Sequence, residues 1–310
     1  MDKHFSGELE QMQALPLALK VEMSKRRIRE WLDAVDGRAY ISFSGGKDST
    51  VLLNLVRQVD SSIPAVFCDT GLEYPEIRDF VKSFDNVVWL KPKMNFRRVI
   101  QVYGYPVVSK EVSQMIYEVR HYNLSPGLRA KRLGDGSFSI PQKWRFLIDA
   151  PFEVSHQCCA IMKKRPFHQY EKETGRAGIV ATMACESSLR RQSWLRYGCN
   201  AFDCKRPLSR PLSFWTEQDV LEYLYLHHLP YASVYGDIVF DGSRFCFFTT
   251  GVERTGCMFC MYGCHCDDSP NRFQRLAVTH PLQYDFCMKS FESGGLGLAS
   301  VLDFVGIPYE

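Results

Sequence analysis

The chain has 310 residues, 45% of them hydrophobic and 24% charged, a balance ordinary for a soluble globular protein with one large core or two. A formal net charge of +3 is too small to argue nucleic-acid binding by itself. No apolar run is long enough to span a bilayer and Met1-Asp2-Lys3-His4 lacks a signal-peptide pattern, so a cytoplasmic protein without membrane contact is expected. Twelve cysteines in such a chain argue against a disulfide framework and for metal or redox chemistry, although Cys68, Cys246 and Cys287 read as inert core thiols.

In chain order, residues 17–35 alternate apolar and charged positions at helical spacing (Leu19, Val21, Ile28, Trp31, Leu32) and read as an amphipathic packing helix. The apolar run 39–43 reads as a strand, and Ser44-Gly45-Gly46-Lys47-Asp48-Ser49-Thr50 follows it and opens a helix over 49–59. Strand, glycine turn and helix N-terminus together make a phosphate site. The glycines allow a tight turn that exposes backbone N–H groups, and the start of the helix favours an anion. Lys47 adds a full charge, and Ser44, Ser49 and Thr50 add hydroxyls. The spacing is not G-x-x-x-x-G-K-S/T, so the mononucleotide P-loop is not implied, and a plain turn is the bland alternative.

A strand over 64–68, a helix over 75–84 and a strand over 87–90 come next. Such alternation predicts a doubly wound, mostly parallel α/β sheet with right-handed crossovers. Ligands bind such sheets at the carboxyl ends of strands, where both the 44–50 loop and Asp69-Thr70-Gly71 fall. Asp69 and Glu73 are then expected beside a triphosphate, with Asp48 or Asp69 supplying a carboxylate to Mg2+. The alternatives are that Asp48 caps the helix and Asp69 holds a turn.

A helix over 109–122 precedes Ser125-Pro126-Gly127 and Gly134-Asp135-Gly136-Ser137, which read as mobile loops. Arg120, Arg129, Lys131, Arg132, Lys143 and Arg145 make this stretch either an arm for a large anionic substrate or a solvated basic loop. Cys158-Cys159 stands just before Lys163 and Lys164, whose charges would lower thiol pKa values. A buried strand over 178–181 leads to Glu186-Ser187-Ser188-Leu189-Arg190-Arg191. Arg196, Lys205, Arg206 and Arg210 follow, interleaved with Trp194, Tyr197 and Phe202, a pattern open to a nucleic-acid acceptor or to a basic face closing on a nucleotide. Thr216, with Asp219 three positions on, starts a helix running to His228, and His227 and His228 read as surface or packing residues. Within Arg254-Thr255-Gly256-Cys257-Met258-Phe259-Cys260-Met261-Tyr262-Gly263-Cys264-His265-Cys266, the C-x-x-C of Cys257 and Cys260 can aim two thiolates at one metal, and zinc accepts four sulfurs as readily as an iron–sulfur cluster. Short helices over 271–276, 281–284 and 296–305 close the chain.

Several of these segments carry one resemblance. Ser44-Gly45-Gly46-Lys47-Asp48-Ser49 resembles the PP-loop of the ATP pyrophosphatase superfamily, and Cys68-Asp69-Thr70-Gly71-Leu72-Glu73-Tyr74-Pro75 resembles the D-T-G-x-x-F/Y-P segment of its phosphoadenosine phosphosulfate (PAPS) reductase branch. Cys158-Cys159 with Lys163 and Pro166, Glu186-Ser187 with Arg190, and Pro211-Leu212 with Trp215-Thr216 and Asp219-Val220 are similar to further elements of that branch. The resemblance implies an adenine nucleotide alpha-hydrolase-like fold with a helical, cysteine-rich C-terminal part. It divides the chain into a helical segment 1–37, a nucleotide-binding domain 38–230 and a C-terminal region 231–310.

The resemblance also implies that Lys47, Asp48, Asp69 and Arg190 act in catalysis. ATP would be held by Ser44 through Thr50, Asp69, Thr70, Gly71 and Glu186, together with Mg2+. A 4Fe-4S cluster on Cys158, Cys159, Cys257 and Cys260 is implied as well, with zinc as the alternative metal and Cys264 or Cys266 as alternative ligands. The implied reaction is ATP cleavage to AMP and pyrophosphate that adenylates a nucleic-acid or small-molecule acceptor for sulfur transfer from a cysteine desulfurase or other donor. The alternatives are a thiol-dependent sulfonucleotide reductase and a non-catalytic nucleotide or redox sensor. The intact loop and the absence of an E-C-G-I/L-H tail in Gly306-Ile307-Pro308-Tyr309-Glu310 set expectation towards adenylation.

Overall fold

Hydrophobic periodicity sets most of the elements in the computed structural model, which describes residues 4–310; Met1–Lys3, part of the expected unprocessed N-terminus, lie outside the described residues. The chain runs α1 (Ser6–Gln13), α2 (Leu17–Ala34), β1 (Ala39–Ser42), α3 (Lys47–Val59), β2 (Ala65–Cys68), α4 (Pro75–Lys82), β3 (Val87–Leu90), α5 (Phe96–Tyr103), β4 (Val107–Val108), α6 (Lys110–His121) and α7 (Pro126–Leu133). It continues through α8 (Arg165–Thr174), β5 (Ala177–Ile179), α9 (Ser188–Tyr197), β6 (Asn200–Ala201), β7 (Leu208–Ser209), α10 (Glu217–Leu226), β8 (Ile238–Asp241), β9 (Cys246–Thr249), β10 (Met261–Tyr262), α11 (Arg272–Thr279), α12 (Pro281–Met288) and α13 (Leu298–Val305).

Two compact units share the chain, one of residues up to 69, 73–91 and 167–255, the other of 70–72, 92–166 and 256–310. Residues 231–255, expected with the cysteine-rich region, belong to the first unit, and 92–166, expected in the nucleotide-binding domain, belong to the second. The expected break near 230 is therefore not a unit boundary.

The first unit is built on a six-stranded sheet in the order β3-β2-β1-β5-β7-β6, parallel except for the β6–β7 pair. This is the expected α/β class. β1 pairs with β2 on one side and with β5 on the other, so the strand order reverses at β1/β5. In a parallel sheet, the connections on the two sides of such a reversal leave in opposite directions and open a crevice at the strands' carboxyl ends. The loop after β1 and the turn after β5 therefore arrive at the same edge.

The core of this unit packs Trp31, Ile41, Phe43, Leu52, Leu55, Phe67, Phe214 and Trp215 almost free of solvent. α2 is pinned to it by polar contacts as well as apolar ones. Ser24 Oγ donates to Pro211 O and accepts from Trp215 Nε1, both at 2.9 Å. Lys20 Nζ donates to both Asp219 oxygens at 2.7 Å with Lys20 only 2% exposed. Removing one partner of such a pair leaves an uncompensated buried charge, so Lys20→Met is predicted to cost about 3–5 kcal/mol in urea unfolding. A midpoint unchanged from wild type would refute that.

In the second unit, β10 lies parallel to β4 with Met261 opposite Val107 and Tyr262 opposite Val108, and Gly263 N extends the ladder to Val108 O at 2.8 Å. Ser113 Oγ locks the same edge, donating to Val107 O at 2.6 Å. Phe273, Leu276, Leu298, Val301 and Leu302 bury the faces of α11 and α13.

One expectation needs correction. Ser125-Pro126-Gly127 is not a loop but the start of α7, with Ser125 Oγ accepting from Leu128 N at 3.4 Å and Pro126 in the first turn. Proline's fixed φ suits that position, and its missing donor costs nothing there. α1 falls within the segment 1–37 expected to be helical, although only Leu9 of its eight residues is buried and its apolar pattern is weak.

Candidate functional site

The glycine loop connects β1 to α3 at the reversal point, and its geometry depends on Gly45. Its φ of +73 is left-handed, and a Cβ there would lie 2.7 Å from Val81 Cγ2 and 2.8 Å from Ile77 Cγ2. Only glycine meets both conditions. Gly46 serves as the N-cap of α3. The loop is then cross-linked by its own hydroxyls. Ser44 Oγ accepts from Gly46 N at 3.3 Å, Ser49 Oγ accepts from Ser44 N at 3.2 Å, and the two hydroxyls are 3.0 Å apart. Ser49 and Thr50 both donate to Gly46 O, at 2.9 and 3.1 Å. These hydroxyls shape the loop rather than stand free of it.

Lys47 is 5% exposed. Its ammonium donates to Glu217 Oε1 and to Glu253 O, while its backbone N–H donates to Tyr235 Oη at 3.2 Å. Tyr235 Oη is hydrogen-bonded to Thr255 Oγ1 at 2.6 Å, and burial pushes its phenol up to about 12. A carboxylate, a carbonyl and a hydroxyl thus occupy the cation and an amide at the helix start.

Asp48 does not cap the helix, and its Oδ1 is buried without a hydrogen-bond partner. Burial raises its pKa, opposed by the Lys47 charge, and Glu217, Arg254 and Arg190 all act on it through space. The turn after β5, which carries Glu186, leads into α9 with Arg190 near its start. Glu186 Oε2 accepts from Met183 N at 2.7 Å and meets Arg190 Nη1, and its Oε1 accepts from Arg254 Nη2 at 2.8 Å. Burial lowers the pKa of Arg190, an effect reinforced by Arg254 beside it. One carboxylate therefore holds two guanidiniums in the field of the loop. Cys185, in the same turn, has its thiol pushed up by burial, with Asp48 and Glu217 adding to the effect.

Asp69 follows β2, the neighbour of β1, and is buried with Oδ2 accepting from Arg78 Nη2 at 3.0 Å. Thr70 and Gly71 belong to the second unit, where Thr70 Oγ1 accepts from Leu72 N at 3.2 Å. Of the arginines expected to extend a basic face, Arg206 is held by Glu171 at 2.6 and 2.9 Å, and Arg210 is largely buried with Nη1 unpartnered. Sequence reading missed Glu217, Tyr235, Glu253 and the part played by Arg254. Glu217 was legible only as the residue after a helix cap, and Arg254 only as the start of the cysteine run.

The second unit holds the thiol site. β10 brings the C-x-x-C turn alongside β4, with Cys260 N donating to Cys257 O at 3.1 Å. Arg272 fixes that turn, donating from Nη1 to Cys260 O at 3.1 Å and Tyr262 O at 2.9 Å while pairing with Asp267 at 2.7 Å. Cys158 and Cys159 begin a helical run that passes through a π turn, Ala160–Lys164. Such turns recur at functional sites. Cys158, Cys159, Cys257 and Cys260 line one partly open cavity with Leu72, Phe96, Pro106, Met162 and Lys163, about 320 Å³ with its mouth included.

Cys158 Sγ donates to Cys159 Sγ at 3.9 Å, and that bond, aided by Lys163, Lys110 and Lys164, brings the Cys159 thiol down to about 6 while the Cys158 thiol is driven up. Among the described residues, no group of three or more His, Cys, Asp or Glu is already drawn together to hold a metal ion. The four thiols share a cavity without forming a closed chelate, so a metal would have to gather them as it binds. Neither alternative ligand lines the cavity: Cys264 is buried with its thiol pushed up to about 11, and Cys266 is exposed. Cys287 is a core thiol.

A model of the phosphoadenosine phosphosulfate reductase domain matches residues 38–106 and 87–262. An uncharacterized protein of Methanocaldococcus jannaschii is 25% identical over 224 residues, 71% of this chain and 40% of that protein. Adenosine 5'-phosphosulfate reductases of Staphylococcus haemolyticus and Geobacillus kaustophilus are 27% and 26% identical, covering 67% and 61% of this chain and 70% and 63% of theirs. The match thus spans well under half of the first relative and about two thirds of the other two. Among solved structures, a PAPS reductase from Candida auris covers 74% of this chain and 90% of its own at 15% identity and a TM-score of 0.41. A U34-tRNA thiolase from Methanococcus maripaludis with its 4Fe-4S cluster covers 69% and 66% at 15% identity and a TM-score of 0.35. Scores this low carry no chemistry across. Among the described residues, no helix is long and apolar enough to cross a membrane.

Proposed function

Because the chain belongs to the phosphoadenosine phosphosulfate reductase domain family, we propose that it binds ATP at the glycine loop and cleaves it to AMP and pyrophosphate to adenylate an acceptor, preparing that acceptor for sulfur transfer. The observation that carries this reading is the set of cations at the loop, with Lys47 against the helix start and Arg190 and Arg254 held by Glu186 in the field of Asp48. Three cations around one glycine turn suit a polyphosphate better than a single sulfate or phosphate. The acceptor oxygen attacks the α-phosphorus, the α–β bridging bond breaks, and pyrophosphate leaves with the bond's electron pair. Lys47 and the arginines stabilise the charge that develops on it. Hydrosulfide then displaces AMP from the acceptor with no redox change, whereas sulfur arriving as the persulfide of a cysteine desulfurase also needs a thiol reductant, which supplies two electrons and ends as a disulfide.

The unpartnered Asp48 oxygen fits a hard cation, and Mg2+ bound there would share the phosphate charge. The four-thiol cavity fits an iron–sulfur cluster held by Cys158, Cys159, Cys257 and Cys260, which would supply sulfur-binding and electron-transfer chemistry. Lys163 on the cavity wall offsets the negative charge of bound thiolates.

Glu217 pairs with Lys47 while its own side chain is 51% exposed, so a phosphate competing for the ammonium displaces it into water. Glu217→Gln is predicted to tighten ATP binding by about fivefold, the equivalent of a half-exposed ion pair. Weaker binding in the variant would instead make Glu217 part of the bound-state machinery.

The adenosine 5'-phosphosulfate reductase relatives favour a second reading, a sulfonucleotide reductase. Anaerobic calorimetry of the purified protein with Mg·ATP and separately with PAPS, followed by assay for AMP and pyrophosphate, separates the two. Tight ATP binding with pyrophosphate release supports adenylation, whereas binding of PAPS alone rejects it in favour of the reductase.

A further inference from the structure

Residues 122–146 of the second unit form an arm whose chemistry neither site uses. α7 has no fully buried residue, so deep burial of apolar surface in the helix does not hold it in place, Ile140 being the one buried residue of the arm. Two arginines hold it instead. Arg132 donates to Phe138 O at 2.8 Å and pairs with Glu118 at 2.8 Å, and Arg145 donates to Gly134 O and pairs with Asp135, both at 2.7 Å. Ile140 N closes the arm on Arg132 O at 2.8 Å. With these cations committed, Arg129, Lys131 and Lys143 remain, and none of the three has an acidic partner among the described residues. Asp135 is the sole acid in the stretch and is already paired.

Aromatic rings accompany the uncommitted cations. Lys131 Nζ stands 4.9 Å from the Phe138 ring centre, and Lys143 Nζ stands 5.2 Å from that of Trp144. Phe138 is 61% exposed and held at a φ of +64, a conformation that a bulky side chain rarely adopts. Tyr122 and Phe146 are exposed on the same arm. An apolar ring held in water by a strained backbone, beside cations without acidic partners, is unexplained by folding.

We propose that this arm is a docking platform for single-stranded nucleic acid, with bases stacking on Phe138 and its neighbouring exposed rings and phosphates meeting Arg129, Lys131 and Lys143. An acidic peptide would satisfy the cations but would leave the flat rings without partners, whereas every base offers a π face beside a phosphate. The platform names the acceptor class of the proposed reaction and rests on that reading for its catalytic meaning. Binding is measured without ATP, so the two can fail separately.

The test is fluorescence anisotropy of the full-length protein with a labelled single-stranded oligonucleotide of about 16 residues, as RNA and as DNA, across a salt series. The wild type is expected to bind with salt-dependent affinity. The triple variant Arg129→Ala/Lys131→Ala/Lys143→Ala should flatten the slope of log affinity against log salt by about 2, since each phosphate left without its cation removes roughly 0.7. Phe138→Ala should weaken binding about tenfold with the slope unchanged, and Phe138→Tyr should restore it. All four positions lie outside the buried core, so loss of fold does not confound the result. Absence of binding, variants that all match wild type, or displacement of the oligonucleotide by poly-glutamate at equal charge would each overturn the proposal, the last in favour of an acidic protein partner.

Discussion

Lys47→Ala is expected to reduce pyrophosphate release from ATP by about 10²–10³, the usual consequence of removing one preorganised donor from a developing anion. The size of the effect follows from the place of the side chain. Lys47 is 5% exposed and stands at the start of α3, so its charge and the helix N-terminus act on the same ligand with little water between them. The fold should tolerate the change. Glu217, released from Lys47, is half-exposed and turns to solvent, so the substitution leaves no buried charge unpaired at Glu217. Lys47→Arg is not expected to rescue, because a planar fork cannot replace a point charge seated between Glu217 and the Glu253 carbonyl. Calorimetry gives the loss of ATP affinity and thermal unfolding gives the control. A folded Lys47→Ala protein that binds and cleaves ATP like wild type would remove the glycine loop from the proposed site, and one that keeps its biological activity without cleaving ATP would point to a sensor.

What could be read from the sequence was local. The loop announces itself because strand, glycines, lysine and helix are contiguous, and the parallel sheet follows from alternating apolar periods. Even the exact β3 strand, Val87–Leu90, was legible, since four apolar residues stand between turns. The contacts that define the state of the site were not local. Lys47 meets Glu217 across 170 residues and Glu253 across 206, and no periodicity encodes such a meeting. Arg254 illustrates the same limit. Its nearest sequence signal is the cysteine run, yet its guanidinium belongs to Glu186, 68 residues upstream. α7 escapes sequence reading for a different reason, since Ser-Pro-Gly satisfies both a turn and a capped helix start, and with no buried residue there is no apolar stripe to decide between them. The unit boundary was hidden because each unit is assembled from three separate stretches of chain.

The cysteine cavity supports the second large effect. Alanine at Cys158, Cys257 or Cys260 is predicted to abolish most iron and acid-labile sulfide binding in protein purified without oxygen, and with it the visible absorbance of a cluster. Losing a mere supporting group around a metal already costs about 10–100-fold in affinity, so losing a ligand should cost more. Cys264→Ala and Cys266→Ala are the discriminating controls, because neither residue lines the cavity although both lie within a few positions of Cys260. Their metal content should match wild type. Cys159 should behave as a ligand with the other three, and its thiol, held near 6 by the hydrogen bond from Cys158 and the nearby lysines, is more anionic than those of Cys158 and Cys260, which are driven up. Since the described residues present no closed chelate, metal binding and ordering of the cavity are one event, and chelation should loosen the second unit in hydrogen exchange around Cys257–Tyr262 and Ala160–Lys164. Stoichiometric zinc retained in all single variants, or iron unaffected by Cys158→Ala and lost in Cys264→Ala, would break the four-thiol assignment and require the pair and the C-x-x-C to be separated into different roles.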